Sequence, residues 1–315
     1  MTSEHAAAVA QLCATGDDER ALALGEQLAA ENPHDVALRL RLGFIYGAHE
    51  RFDAAFAHMD AAADFSNGSD EAVLSKRAGL EAFSGRGDAS ASANAAIEID
   101  PLQPQSIYYL AAHEWQGDYL LLDDARVLCS PIPKCASTSL KQLFAQLEPA
   151  SGDERPHQRF GGPRIRQDRL RLQERDLEHH YRFAVVRDDI ARFQSYYARN
   201  VVQAESLRRE GHGLDTYLGL STRPDLDELV SRLRHYQYVF LDVRHHTLPT
   251  RAYLHHDAGF YDDVFELTDI EELRVRLSEH TGTALDLAHK LRSGPTTEAG
   301  LSSSSRETLR EYYGP

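Results

Sequence analysis

Lys134 stands in the run Ile132-Pro133-Lys134-Cys135-Ala136-Ser137-Thr138-Ser139-Leu140. A short apolar stretch, Arg126-Val127-Leu128-Cys129, precedes it, and a segment with helical spacing follows. Strand, loop and helix in that order present backbone N–H groups and the positive end of a helix to an anion. Lys134 adds a point charge, and Ser137, Thr138 and Ser139 add hydroxyl donors near the helix start. Such a site suits a phosphate that carries a leaving or transferring group. It differs from the nucleotide loop in which glycines precede the lysine and Ser/Thr follows it directly. Here the lysine comes first, the loop has no glycine, and two prolines, Pro131 and Pro133, lie before it. No residue cluster suggests a dedicated magnesium site. Cys135 reads as a packing residue, because a cysteine phosphatase needs an arginine closing the same loop and none is there.

A second anion site is written about 50 residues later, in Phe183-Ala184-Val185-Val186-Arg187-Asp188-Asp189-Ile190-Ala191-Arg192-Phe193-Gln194-Ser195. An arginine at the end of a strand can fork onto a phosphate. Ser195, two turns into the next helix, can donate to the same oxygen. Arg192 reads as a surface or structural partner and not as a ligand.

These residues need elements to hold them. Tyr119-Leu120-Leu121-Leu122 and Arg126–Cys129 read as strands about the turn Asp123-Asp124. Leu140, Leu143, Phe144 and Leu147 share one helical face. Residues 150–175 are polar and Arg-rich, with Gly161-Gly162-Pro163, and read as a loop. Phe183–Val186 has the continuous apolar character of a buried parallel strand, and a helix from Ile190 to about Val202 follows. Tyr238–Leu241 and Val264–Leu267 are expected as later strands, with helices near 225–234, 270–281, 284–291 and 303–313. Strands alternating with helices give an α/β fold with a mostly parallel sheet.

The first third of the chain is different. Ala21, Ala55 and Ala89 are 34 residues apart, as are Gly25, Met59 and Ala93, and Leu28, Ala62 and Ala96. Pro33, Asn67 and Pro101 close each unit. Small residues at a fixed period suit helices that approach closely, so this region is expected to be an all-helical solenoid. A capping helix is expected over Ser106–Gln116. Leu42-Gly43-x-x-Tyr46 and the ending Ala96-Ile97-Glu98-Ile99-Asp100-Pro101 resemble the tetratricopeptide repeat.

Composition narrows the function. The net charge of -15 argues against nucleic acid or an anionic membrane as the main partner. Residues 1–115 carry most of the excess, with about 18 acids against about 7 bases. A locally basic stretch at 155–192 lies in the other part. No apolar run reaches the length of a membrane span. The start of the sequence lacks the pattern of a signal peptide, so no export and a cytoplasmic location are expected. Three scattered cysteines fit a reducing compartment.

The loop at 132–140 resembles the 5′-phosphosulfate loop of sulfotransferases that use 3′-phosphoadenosine 5′-phosphosulfate (PAPS). More narrowly, it resembles the carbohydrate-type branch that carries Pro-Lys-x-x-Ser-Thr-Ser. Many members have glycine at the place of Ala136. Arg187 and Ser195 match that family's 3′-phosphate motif, in which proline often stands at the place of Asp189. The tail from Ser302 resembles the family's C-terminal helix, and the resemblance leaves open whether the natural chain runs on past Pro315.

The resemblance implies a P-loop-like sulfotransferase fold over 117–315, preceded by a tetratricopeptide-like domain over 1–116. It implies PAPS as co-substrate, PAP (3′,5′-ADP) as product and no metal. Lys134 to Ser139 would hold the 5′ end, Arg187 and Ser195 the 3′-phosphate, and the late pair Arg292-Ser293 would return to it. Lys134 would stabilise the leaving phosphate. The family also needs a general base. His157, between the two half-sites, is the first choice, with His235, His245 and His246 as alternatives near a sheet edge. His179-His180 and His255-His256 lack a third ligand at convincing spacing. The expected activity is sulfuryl transfer to a hydroxyl of a carbohydrate, lipid, natural product or peptide tyrosine. The repeat domain would bind a partner protein, present the acceptor or self-associate. The other reading is a catalytically weak nucleotide-binding scaffold whose repeats bind a partner.

Overall fold

A computed structural model describes residues 3–66, 68, 70–100, 119–149, 155–161, 164–165, 168, 176–286 and 300–314. In chain order the helices α1 (Glu4–Ala14), α2 (Asp18–Glu31), α3 (Val36–Ala48), α4 (Phe52–Phe65), α5 (Glu71–Ser84) and α6 (Ala89–Ile99) come first. Strands β1 (Leu120–Leu122) and β2 (Val127–Ser130), helices α7 (Ser137–Leu147) and α8 (Pro156–Arg159), strand β3 (Tyr181–Val186) and helix α9 (Asp189–Tyr196) follow. A π-helical stretch, Tyr197–Gln203, continues from α9. Then come α10 (Ser206–Glu210), the hairpin β4 (Thr216–Tyr217) and β5 (Leu220–Ser221), α11 (Leu226–Ser231), α12 (Leu233–Val239) and α13 (Leu241–Thr247). Strand β6 (Asp263–Glu266), α14 (Ile270–Thr281) and α15 (Ser303–Tyr313) complete the order. An all-helical N-terminal region thus precedes an α/β region.

The chain divides into two compact units. One comprises Met1–Leu110, Tyr197–Thr247 and Ala299–Glu311; the other comprises Ala111–Tyr196, Leu248–Glu298 and Tyr312–Pro315. The expected domain boundary at 116/117 and the expected capping helix at 106–116 lie outside the described residues.

In the first unit, part of the acidic excess caps helices. Asp17, Asp35, Asp70 and Asp88 each accept a backbone N–H in the first turn of α2, α3, α5 and α6, a contribution of about 1 kcal/mol apiece. The helices pair as α1 with α2, α3 with α4 and α5 with α6, and α1, α3 and α5 pack in a row. The 34-residue spacing is the spacing of this packing: Ala21, Ala55, Met59, Ala62, Ala93 and Ala96 are all buried. Gly43 lets α3 approach α4, since a Cβ there would lie 2.8 Å from Met59 Cε and 3.2 Å from the Ala55 carbonyl oxygen.

Residues 197–247 belong to the same unit and share its core. Leu218 and Tyr238 join Val9, Leu42, Ile45 and Leu80 in one apolar cluster. Helix α12 packs on α3 and α5, with the Tyr238 ring 5.3 Å from Phe44 and 4.9 Å from Phe83, centroid to centroid. The run Tyr238–Leu241, expected as a strand, is instead the junction of α12 and α13. Leu229, Leu233, Tyr236, Phe240, Val243 and Thr247 are buried at helical spacing. An apolar run of only four residues cannot separate strand from helix by itself; its flanks decide.

The second unit is built on a sheet in the order β1-β2-β3-β6. β1 pairs antiparallel with β2, whereas β2 with β3 and β3 with β6 are parallel. Every residue of β2 is buried, the continuous pattern of a strand covered on both faces. Phe144 of α7 packs on Phe183 of β3 and Phe160 after α8, with centroids 6.4 Å and 6.0 Å away. The expected helix at 284–291 falls largely outside the described residues, and positions 284–286 are not helical.

Candidate functional site

The parallel register places Ser130 opposite Ala184. The chain therefore leaves β2 and β3 at the same edge of the sheet, and the two motifs read from the sequence start side by side. After β2 the loop turns through a Cys135 N–H to Ile132 carbonyl bond of 3.2 Å, and Lys134 and Ala136 both sit at positive φ, +67° and +55°. Ala136 is the residue that starts α7, and no side chain caps that helix. The first bond into the helix is Leu140 N–H to the Ala136 carbonyl, 3.0 Å. The N–H groups of Ser137, Thr138 and Ser139 are thus the first-turn donors that an α-helix cannot satisfy internally. Holding a residue with a Cβ in the left-handed region costs roughly 1–2 kcal/mol, and two such residues lie in this one loop.

Cys135 is fully buried between them, and burial pushes its thiol up to about 12, against the opposing pull of Arg192 and Arg187. The thiol is therefore protonated and unreactive at neutral pH. Its electrostatic coupling to both arginines shows that the loop and the end of β3 converge. Arg187 is half-buried, and desolvation pulls its pKa below the ordinary guanidinium range, with Cys135 and Asp188 opposing the shift.

A buried network follows Arg187 at the start of α9. Arg192 is completely enclosed. Its Nε donates to Asp189 Oδ1 at 3.0 Å, and its Nη2 donates to the Leu248 carbonyl. Its guanidinium lies 5.8 Å from the Tyr253 ring centre and 6.0 Å from that of Tyr313. Asp189 also accepts from the Thr250 backbone N–H at 3.1 Å and hydroxyl at 2.5 Å. Asp189 replaces the proline common in the resembled motif and here clamps the 248–253 segment to the start of α9. Arg192 is a structural partner, as its sequence context suggested, but a buried one. The periodicity of α9 carried that signal: Arg192 precedes the buried Phe193 and lies one turn before the buried Tyr196.

Ser195 is on α9, 7 % exposed, and its hydroxyl bonds to no described residue. It is an available donor eight positions beyond Arg187 on the same strand-to-helix unit. His157 is on the short helix α8, which packs against α7. Its neighbours fix that helix through Arg159 to Glu148, 2.7 Å, and through Phe160 to Phe144. Those anchors are Phe144 in the C-terminal half of α7 and Glu148 just past its end. Arg292 and Ser293 are outside the described residues.

The alternative bases His235, His245 and His246 occupy helices, not a sheet edge. His235 on α12 is buried, with Nε2 2.6 Å from the Ala48 carbonyl and Nδ1 3.2 Å from a Glu50 carboxylate oxygen. It ties α12 to the end of α3, which removes it as a base. His246 on α13 lies 3.4 Å from Asp242, and its ring is 4.8 Å from that of His245. Among the described residues no three His, Cys, Asp or Glu side chains gather as a metal site.

A strand-loop-helix unit with an uncapped first turn, beside an arginine at the end of the next parallel strand, invites comparison with known families. The model of one, described as the sulfotransferase family, matches residues 117–310. The chain belongs to the sulfotransferase family. Comparison with curated proteins and with solved structures gave no match. The match begins after the helical repeats and spans the anion loop, Arg187, Ser195 and the 197–247 segment that packs with the repeats. Family membership supports sulfotransfer as the general activity and an acceptor as its second substrate. No helix among the described residues is long and apolar enough to cross a membrane.

Proposed function

We propose that this sulfotransferase takes its sulfuryl group from PAPS and delivers it to a hydroxyl acceptor. The observation that carries the reading is the pairing of the uncapped start of α7 with Arg187 at neighbouring ends of parallel strands. One phosphate site at each suits a nucleotide with phosphates at both 5′ and 3′ positions.

In the proposed reaction the acceptor oxygen attacks sulfur in line with the phosphate leaving group. The new S–O bond forms as the bond from sulfur to the bridging phosphate oxygen breaks. The acceptor proton passes to a general base, for which His157 is our candidate, and PAP departs. Lys134 and the first-turn N–H groups of α7 neutralise the charge growing on the 5′-phosphate, the main task of a protein in such transfers. Arg187 and Ser195 hold the 3′-phosphate and so fix the nucleotide's register. Arg292 and Ser293 are proposed as further 3′-phosphate ligands.

We assign 117–315 to the sulfotransferase domain and 1–116 to tetratricopeptide-like repeats, in a cytoplasmic protein. The repeats hold the 197–247 segment of the sulfotransferase domain, and their remaining surface would take a partner protein or a second copy. A transfer assay tests the proposal: PAP release from PAPS across carbohydrate, lipid, phenolic and tyrosyl-peptide acceptors. Release with one acceptor class, lost in Lys134→Ala, is the expected result. PAP release unaffected by Lys134→Ala would contradict the assigned role.

A further inference from the structure

Lys141 is a second lysine beside the anion loop, and its environment is unusual. It lies one turn past Ser137 on α7 and is only 7 % exposed. A buried ammonium normally has a carboxylate partner, because an unpaired one costs several kcal/mol. Lys141 has no hydrogen bond and no ion pair to any described residue. The ionisable group it feels is the Cys129 thiol. That thiol is itself fully buried, and burial raises its pKa far enough to keep it neutral. Among the described residues, then, no anion is paired with this cation.

Two features place the amine at the ligand end of α7. Helical side chains lean toward the helix N-terminus, and Lys141 is about 6 Å along the axis from Ser137. Its stem therefore carries the amine back level with the first turn. Cys129 is the residue just before Ser130, where β2 gives way to the loop. The coupling to Cys129 and the lean of the side chain agree. Together they direct the amine toward the first turn of α7, which no side chain caps.

We infer that Lys141 is a second cationic ligand for the 5′-phosphosulfate end of the donor, acting with Lys134. This deepens the PAPS reading and rests on it. Desolvation holds the free amine's pKa below the ordinary lysine value, so a bound anion would restore the charged form. Lys134 sits in the loop on a strained backbone and Lys141 on the helix, so the two approach the 5′ group from different elements.

Isothermal titration with PAP and with 3′-AMP, which lacks the 5′-phosphate, tests this. Wild type is compared with Lys141→Met and Lys141→Gln. Loss of a charge-assisted contact should weaken PAP binding roughly tenfold to a hundredfold and leave 3′-AMP binding unchanged. The thermal midpoint of Lys141→Met should stay level or rise, since a buried unpaired charge is removed. PAP binding by both variants equal to wild type would overturn the inference. So would an equal loss for both nucleotides, which would mark a structural lysine. If wild type binds neither nucleotide, the donor reading itself falls and the inference with it.

Discussion

Ser130 and Ala184 face each other across the parallel β2–β3 ladder, and that register sets the starts of the two proposed anion sites side by side. One strand end opens into the Lys134 loop and the other into Arg187. A nucleotide bridging them would be held by elements that share one sheet, so the span between its phosphates is set by the strand spacing.

The loop backbone makes the first prediction. Ala136 is held at φ +55°, where glycine has no steric penalty. Ala136→Gly should raise stability by up to about 1 kcal/mol and keep PAP affinity. Ala136→Val should lower stability by about 1–3 kcal/mol, because a β-branched residue is an outlier in that region. Urea melts of the three proteins measure both.

The buried network makes the second. Arg192→Met leaves Asp189 without its guanidinium and should cost about 3–5 kcal/mol, as removal of one partner from a buried pair does. Arg187→Ala should cost far less stability, because the side chain is only half-buried, yet it should weaken PAP strongly. A melt in which Arg187→Ala is the more damaging change would reverse these assignments.

Ser195 gives a third. Its hydroxyl has no described protein partner, so Ser195→Ala should change stability by less than about 0.5 kcal/mol. It should weaken PAP and 3′-AMP alike, by roughly threefold to tenfold. Unchanged affinity for both would remove Ser195 from the 3′ site.

The shared core of the first unit gives a fourth. A Cβ on Gly47 would lie 2.4 Å from Tyr238 Oη and 2.9 Å from Leu80 Cδ1. The Tyr238 ring is wedged between Phe44 and Phe83 and has little room to move. Gly47→Ala should therefore cost about 1–3 kcal/mol. Adding Tyr238→Phe should recover part of the loss, a coupling that a double-mutant cycle reads directly.

Much of this was legible in the sequence because backbone-driven patterns are local. The 34-residue spacing of small residues announced the helical pairs. The short apolar run at 126–129 announced a strand and the continuous one at 183–186 a buried parallel strand, and α14 and α15 fell at 270–281 and 303–313 as read. What was not legible depends on partners far along the chain. The four residues Tyr238–Leu241 look like a strand until their packing on α3 and α5 is known. Lys141 looks like a solvated residue on an amphipathic helix, and only its burial without a partner sets it apart. Asp189 looked like a departure from a motif, whereas its role lies in Thr250 and Arg192. That residues 197–247 fold with the repeats is written in Gly47 and Tyr238 together, and neither alone announces it.

Calorimetry of the wild-type protein with PAP and, separately, with ATP and magnesium decides whether this enzyme binds the proposed nucleotide. PAP should bind at micromolar level or tighter without magnesium, and Lys134→Ala and Arg187→Ala should each weaken it by roughly tenfold or more. Binding of ATP with magnesium and indifference to PAP would contradict the PAPS reading.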